Sequence, residues 1–257
     1  MNTTVKEKLR KNLPTFGSWV TIGHQSVIEI MATAGFEWLT LDLEHSSMDF
    51  SKAMELIAHI QSFGMAALVR VSKNEEVVIK RVMDAGADGV IVPMVRTSTD
   101  AKLAVDYVKY PPMGKRGVGL SRAQNYGIGF ENYKEWQKDG SIIIAQIEHI
   151  DSVNNIDEII NTPGIDGTIV GPFDLSASMG MPGEYHRQEV KDALKRVEER
   201  CKFYNKPLGF HVIDTNHESV EEKLVAGYTF LAFSLDFFFL GDKAREQMRL
   251  LKQYIKR

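Results

Sequence analysis

The sequence predicts an α/β protein whose eight parallel strands close into a (β/α)8 barrel. Three observations carry that expectation. Short apolar, β-branched runs alternate about eight times with longer segments of helical period. Several of the helical segments end on a glycine that leads into the next strand, as in AGFEWLTL, FGMAALVR, AGADGVIV and AGYTFLAF; glycine accepts the left-handed conformation of a helix C-terminus without penalty. Strand candidates such as 142–147 read as nearly continuous apolar runs, as expected where helices cover a parallel sheet. A chain of 257 residues holds eight such units as one domain spanning 1–257, with an open doubly wound sheet as the second arrangement.

The strands are expected at 16–22, 38–43, 66–71, 89–95, 142–147, 167–171, 208–212 and 230–234. Between them, apolar residues three and four apart predict helices at 27–34, 52–62, 75–84, 99–108, 153–161, 189–204 and 218–225, with a last one at 241–255. The excursion from 110 to 140 reads as a long loop, of the kind that is functional or joins subunits. No repeat, low-complexity tract or Gly/Ser/Pro linker divides the chain.

Composition narrows the function. The chain is 44% hydrophobic and 25% charged with a net charge of −3, which gives no electrostatic reason to bind nucleic acid or an anionic membrane. The basic residues after Arg245 read as the wet face of a helix. A lone cysteine, Cys201, cannot form an internal disulfide and suits a reducing cytoplasm; in mid-helix it reads as inert. The N-terminus has no apolar core of a signal peptide, and no run approaches the roughly 18 apolar residues of a membrane span. A cytoplasmic protein is expected.

In a parallel barrel the reactive groups gather at the carboxyl ends of the strands. Those positions hold Asp42, Glu44 and His45, then Arg70, Gln146 and Glu148, and Asp174 of GPFD. Glu148 and Asp174, on neighbouring strands, suit Mg2+ or Mn2+ better than Zn2+, since water and substrate oxygens would complete the shell. The plainer alternatives are solvated strand ends or, for Asp174, a helix cap. His45 is the natural general base, the alternative being a turn-capping histidine helped by Ser46 and Ser47. Of the other histidines, His59 and His217 are expected exposed on helices, His186 lies in a loop, and His149 is a neighbour of Glu148. His24 and His211 lie close enough to strand ends to line the mouth. Arg70 ends an apolar strand and needs an anionic partner, either a ligand carboxylate or enolate or a structural pair with Asp42 or Glu44. PPMGKRGVG is Gly-rich and basic like an anion cradle, but lacks the strand–loop–helix setting of a phosphate loop.

The stretches LDLEHSSMDF, LVRV, VMDAGADGVIVPMV, YPPMGKRGVG, AQIEHIDSVNNIDEI and VGPFDLSASMG occur in the order of a known family. On them the chain resembles the HpcH/HpaI family, pyruvate-dependent class II aldolases of the 4-hydroxy-2-oxoheptanedioate aldolase type that cleave 4-hydroxy-2-oxo acids. The resemblance implies a homohexamer of barrels that exchange helices, activated by Mg2+, Mn2+ or Co2+. It implies His45 as proton acceptor or donor, Arg70 as stabiliser of the enolate, and Asp84 as the residue that raises the basicity of His45. It further implies Glu148 and Asp174 as metal ligands, Gln146 as a pyruvate contact, and the backbone of Gly171, Pro172 and Phe173, beside Asp174, as receiver of the substrate carboxylate. The products would be pyruvate and an aldehyde, the latter ranging from succinic semialdehyde to glyceraldehyde-type sugars and longer polyols.

The chain departs from the family at Phe173, which is bulky and expected to narrow the pocket, and at FLAFSLDFFFLG, which replaces a valine- and glycine-rich segment. Three rival readings remain: a Schiff-base aldolase using Lys73, an acyl-CoA lyase of the citrate-lyase type holding its nucleotide on Lys115 and Arg116, and a non-catalytic barrel that binds an oxo acid.

Overall fold

A computed structural model describes residues 4–255; Met1, Asn2 and Thr3 and the last two basic residues, Lys256 and Arg257, lie outside the described residues. The eight strands close into a parallel barrel in sequential order. They are β1 (Thr15–Val20), β2 (Trp38–Asp42), β3 (Ala66–Arg70), β4 (Gly89–Val92), β5 (Ile142–Ile147), β6 (Gly167–Val170), β7 (Leu208–Val212) and β8 (Phe230–Leu235). The helices are α1 (Thr4–Arg10), α2 (Gln25–Thr33), α3 (Phe50–Ser62), α4 (Glu76–Asp84), α5 (Ser98–Val108), α6 (Phe130–Asp139), α7 (Ile150–Asn154) and α8 (Ile156–Ile160). The chain continues with α9 (Pro172–Ser178), α10 (Gln188–Phe203), α11 (His217–Val225) and α12 (Asp236–Ile255). The barrel expectation is borne out.

Side chains alternate along a strand, so every second residue faces the barrel axis. Trp38 of β2, Ala66 and Leu68 of β3, Ile91 of β4, Ile142 and Ile144 of β5, and Ile169 of β6 fill the interior, and α1 closes its lower end with Val5 and Leu9. Trp38 stacks on Phe230 at 4.3 Å, and a Cβ on Gly17 would meet the Trp38 ring at 2.0 Å; only glycine on β1 leaves space for that indole. The intervening residues, such as Leu39, Val69, Ile143 and Ala145, pack outward against the helices. Both faces being covered explains why β5 reads as an unbroken apolar run.

Three expectations change. The 110–140 excursion contains α6, whose Tyr133 is buried with Tyr110 and Ala123; the charged sequence FENYKEWQKD concealed that narrow apolar face. The single helix expected at 153–161 is two short ones, broken at Asn155. The short α1 and α9 were not expected, because each spans only seven residues and too few turns to display a period.

Candidate active site

The inward register that builds the core continues upward into polar residues. Ala66 and Leu68 lead to Arg70, Ile142 and Ile144 lead to Gln146 and then Glu148, and Trp38 and Thr40 lead to Asp42. At this end lies a small cavity of about 140 Å3, walled by Trp19, Arg70, Gln146, Gly171–Asp174 and His211.

Asp42 organises one side of it. Arg70 donates from Nε to Asp42 Oδ1 at 2.9 Å and from Nη2 to Oδ2 at 2.6 Å. The backbone N–H groups of Glu44 and His45 also donate to Asp42 Oδ1, at 3.0 and 3.2 Å, and Ser46 Oγ donates to its carbonyl. One buried carboxylate thus fixes both the arginine and the turn that carries His45. Burial opposes the charge of Asp42, but the hydrogen bonds and charge of Arg70 outweigh it and hold its pKa below the ordinary value. Arg70 is clamped from another direction by Trp19, with its guanidinium carbon 4.4 Å from the ring centroid. Of the two alternatives in sequence, the structural pair with Asp42 is formed; it leaves Nη1 without a protein partner among the described residues, on a cavity that Arg70 walls.

Glu148 is buried beside Gln146, whose amide donates to its Oε2. The backbone N–H of Met94 donates to Oε1 at 2.7 Å, from a residue held at φ 54°. Burial pushes the Glu148 carboxyl up to about 7, helped by the charges of Glu44 and Asp174 and opposed by the two hydrogen bonds. Glu44 is raised too, through burial and then through Asp42 and Asp174 against the pull of Arg70. Asp174 lies in the first turn of α9, where no side-chain cap bond forms at Gly171, so the capping alternative is not realised. A Cβ on Gly171 would stand 3.2 Å from Glu148, which explains a glycine where the backbone passes the carboxylate. Phe173 walls the cavity and packs on Tyr185 at 5.4 Å.

This donor set fits a hard divalent cation. Three carboxylates converge with Arg70 as the nearby cation, and Gln146 Oε1 and Glu44 Oε2 are buried without a hydrogen-bond partner. No group of three or more His, Cys, Asp or Glu among the described residues stands in ligating geometry, so no more than two side chains of those types are placed to hold one ion.

The remaining sequence candidates fall elsewhere. The His45 side chain is 64% exposed at the rim, with Nε2 3.8 Å from Glu44. Asp84 ends α4, at the amino-terminal end of the strands, whereas His45 follows the carboxyl end of β2; one chain does not bring them together. Asp84 instead pairs with Arg116 at 3.3 Å, and burial raises its pKa against the charges of Arg116 and Lys80. Arg116 is fully buried, 4.3 Å over Tyr110 and bonded to the Tyr133 hydroxyl, so the PPMGKRG loop is locked by its arginine and is no open anion cradle. Lys73 is exposed and paired with Glu75 at 2.6 Å. Cys201 is buried, its thiol pushed up to about 11 by burial, as expected of an inert residue. His24 and His149 cap α2 and α7. His59, expected exposed, is partly covered beside Glu29, and His186 lines a groove next to Phe173. Trp19 was missed as a site residue; it lies two residues above Gly17, the register partner of Trp38, on the same inward face of β1.

Residues 15–240 match the family model described as HpcH/HpaI aldolase/citrate lyase. The chain is 34% identical to a 2-dehydro-3,6-dideoxy-6-sulfogluconate aldolase of Pseudomonas putida over 95% of both chains. It is 32% identical to a 2-keto-3-deoxy-L-rhamnonate aldolase of Escherichia coli, over 96% of this chain and 92% of that one. A solved HpcH/HpaI aldolase/citrate lyase family protein from Burkholderia cenocepacia superimposes with a TM-score of 0.92 at 30% identity, covering 98% of this chain and all of that one. The chain belongs to the HpcH/HpaI aldolase/citrate lyase family, and it is a carbon–carbon lyase.

Proposed function

We propose that this chain, working as one domain, is a divalent-metal-dependent pyruvate aldolase that cleaves 4-hydroxy-2-oxo acids to pyruvate and an aldehyde. The observation that carries the reading is a forked arginine, an amide and the Asp174 carboxylate around a cavity the size of a small oxo acid, with Glu148 hydrogen-bonded to that amide. The substrates named by its relatives point to 2-keto-3-deoxy sugar acids as the first class to try.

Glu148 and Asp174 would hold Mg2+, Mn2+ or Co2+, which when bound supplies Lewis-acid polarisation of the substrate's keto oxygen. Gln146 and the backbone N–H groups of Phe173 and Asp174 orient the 2-oxo acid end, with Phe173 excluding water above it. His45 takes the proton from the C4 hydroxyl; the C3–C4 bond breaks, the aldehyde leaves, and the electron pair passes into the enolate of pyruvate. Arg70, held by Asp42 and Trp19, presents Nη1 where that negative charge develops. Protonation at C3 then releases pyruvate.

His45 needs a partner to orient it, and the assigned one, Asp84, sits at the opposite end of its own barrel. Both roles are satisfied if Asp84 arrives from a neighbouring copy. The last helix supports assembly: α12 leaves Leu240 at 68% and Leu251 at 55% exposed, and an apolar cavity of about 270 Å3 lies between its first turns and α2. Exchange of α12 between copies in a hexamer would cover both surfaces. A lone, buried cysteine suits the cytoplasm, and no helix among the described residues is long and apolar enough to cross a membrane.

The test is a pyruvate-release screen over 4-hydroxy-2-oxo acids with and without EDTA. Chelator should abolish release, Mg2+, Mn2+ or Co2+ should restore it, and borohydride with pyruvate should leave no adduct. Full activity in excess chelator with an adduct on Lys73 would move the chain to Schiff-base chemistry.

A further inference from the structure

One polar group on the cavity wall has no part in the chemistry above. His211 lies on the inward face of β7 and is the one histidine shared by the walls of the 140 Å3 cavity and of a neighbouring groove of about 720 Å3. Its ring packs on Trp19 at 5.0 Å, and its Nε2 lies 3.2 Å from the carbonyl oxygen of Ser234. A carbonyl can only accept, so Nε2 carries the proton and the ring is the Nε2–H tautomer. That leaves Nδ1 as a lone-pair acceptor with no hydrogen-bond partner among the described residues. Burial, with the charge of Arg70 nearby, lowers the imidazole to about 4, so it stays neutral at working pH.

The backbone is shaped to hold this arrangement. Gly17 of β1 faces Ala232 and Trp19 faces Leu235, so β8 carries one extra residue there, a bulge. Within it Ser234 adopts φ 52°, a conformation unfavourable to a residue with a side chain. Its carbonyl thereby receives both His211 and the Ser18 hydroxyl, while its own hydroxyl donates to Ile213. The bulge falls within FLAFSLDFFFLG.

We infer that His211 is a specificity-determining residue whose Nδ1 accepts a hydrogen bond from a substrate hydroxyl, so that the site selects a hydroxylated chain over its deoxy counterpart. Among the groups a 4-hydroxy-2-oxo acid carries, carboxylate and keto oxygens cannot donate, and only a hydroxyl satisfies a neutral acceptor. The inference rests on the aldolase reading. Its donor hydroxyl has two possible sources, the aldehyde-derived chain in the groove or carbon 3 of the oxo-acid half in the cavity.

The experiment measures aldol synthesis with three pairs: pyruvate with glycolaldehyde, pyruvate with acetaldehyde, and 3-hydroxypyruvate with acetaldehyde. Wild type should prefer one hydroxylated pair to the unhydroxylated one in kcat/KM, and the favoured pair identifies the source. His211→Leu should reduce that ratio roughly tenfold, the worth of one neutral hydrogen bond, whereas His211→Asn, which sets an amide oxygen near the Nδ1 position, should retain most of it. Equal losses on all pairs in His211→Leu, or no preference in wild type, would overturn the inference. Absence of any aldol product from wild type with added metal would overturn the aldolase reading itself, and this inference with it. Neutron diffraction from deuterated crystals reads the tautomer without any variant: deuterium on Nε2 alone is expected, and deuterium on Nδ1 would sink the idea.

Discussion

Arg70 and Asp42 face each other in register on β3 and β2 and meet through two parallel hydrogen bonds of 2.9 and 2.6 Å. The pair is nearly enclosed, with Asp42 almost fully buried, and Asp42 also anchors the turn of His45. Asp42 touches no reacting atom in the proposed chemistry, yet it positions two residues that do.

Asp42→Ala should therefore cost about 3–5 kcal/mol, the range seen when one partner of a buried ion pair is removed. The milder Asp42→Asn keeps the shape and one acceptor. Its stability deficit against wild type should be steady above roughly pH 4, the pKa of an unfolded aspartate, and should shrink as pH falls through the lower folded value. The direction follows because a depressed pKa stabilises only while the carboxylate is charged. Denaturant melts of both proteins from pH 7 to pH 3 measure it; a gap that does not narrow in acid would detach Asp42 from Arg70. A positioning role further predicts a fall in kcat larger than the change in KM.

Glu148 behaves in the opposite sense. Its folded pKa, about 7, lies above that of a free glutamate, so the metal-free fold is favoured while Glu148 is protonated and loses that advantage as pH rises through 7. Glu148→Gln, in EDTA, should match wild type in melting temperature near pH 5 and exceed it at pH 8. A divalent cation must displace the same proton, so wild-type affinity for Mn2+ should fall by up to about tenfold per pH unit below 7. Titration calorimetry across pH 5.5 to 8 checks this, and pH-independent affinity would take Glu148 out of the ligand set.

The barrel and the positions of Asp42, Arg70, Gln146 and Glu148 were legible because alternation along a strand is strict, so a polar residue ending an apolar run falls on a definite face. His211 and Trp19 were harder: an apolar strand with one histidine, or one tryptophan, reads equally as packed core. The Ser234 conformation had no signal at all, since the bulge arises from the mismatch between β1 and β8. Nor could local pattern have revealed that Arg116 is wholly buried, because its partners Asp84, Tyr110 and Tyr133 come from separate parts of the chain.

The free Nη1 of Arg70 separates electrostatic stabilisation of the enolate from structural pairing. Arg70→Ala should slow aldol cleavage by roughly 10²–10³ in kcat, as expected for loss of one preorganised donor. Arg70→Lys, which keeps the charge and loses the fork to Asp42, should lie between. Oxaloacetate decarboxylation passes through the same pyruvate enolate and should fall in parallel. Lowered melting temperature with kcat per folded molecule preserved would leave Arg70 a purely structural role.

The position of Asp84 makes a prediction about assembly. If His45 of one copy is oriented by Asp84 of another, His45→Ala and Asp84→Ala should each lower kcat, the first by on the order of 10²–10⁴ if His45 is the base. The two lesions then lie in different halves of a shared site. Mixing the purified variants under conditions that let subunits exchange creates some sites with both defects and some with neither. Activity should rise above either parent, approaching about a quarter of wild type if exchange is random and each site draws on two chains. A pairing within one chain predicts no such recovery, because every subunit would carry its own defect. Size-exclusion chromatography with light scattering on the same mixtures reports the assembly, and substituting Leu251→Glu on the exposed face of α12 should weaken it. Recovery that survives complete dissociation to monomers would refute a shared site; recovery lost with the assembly would place Asp84 across the interface from His45.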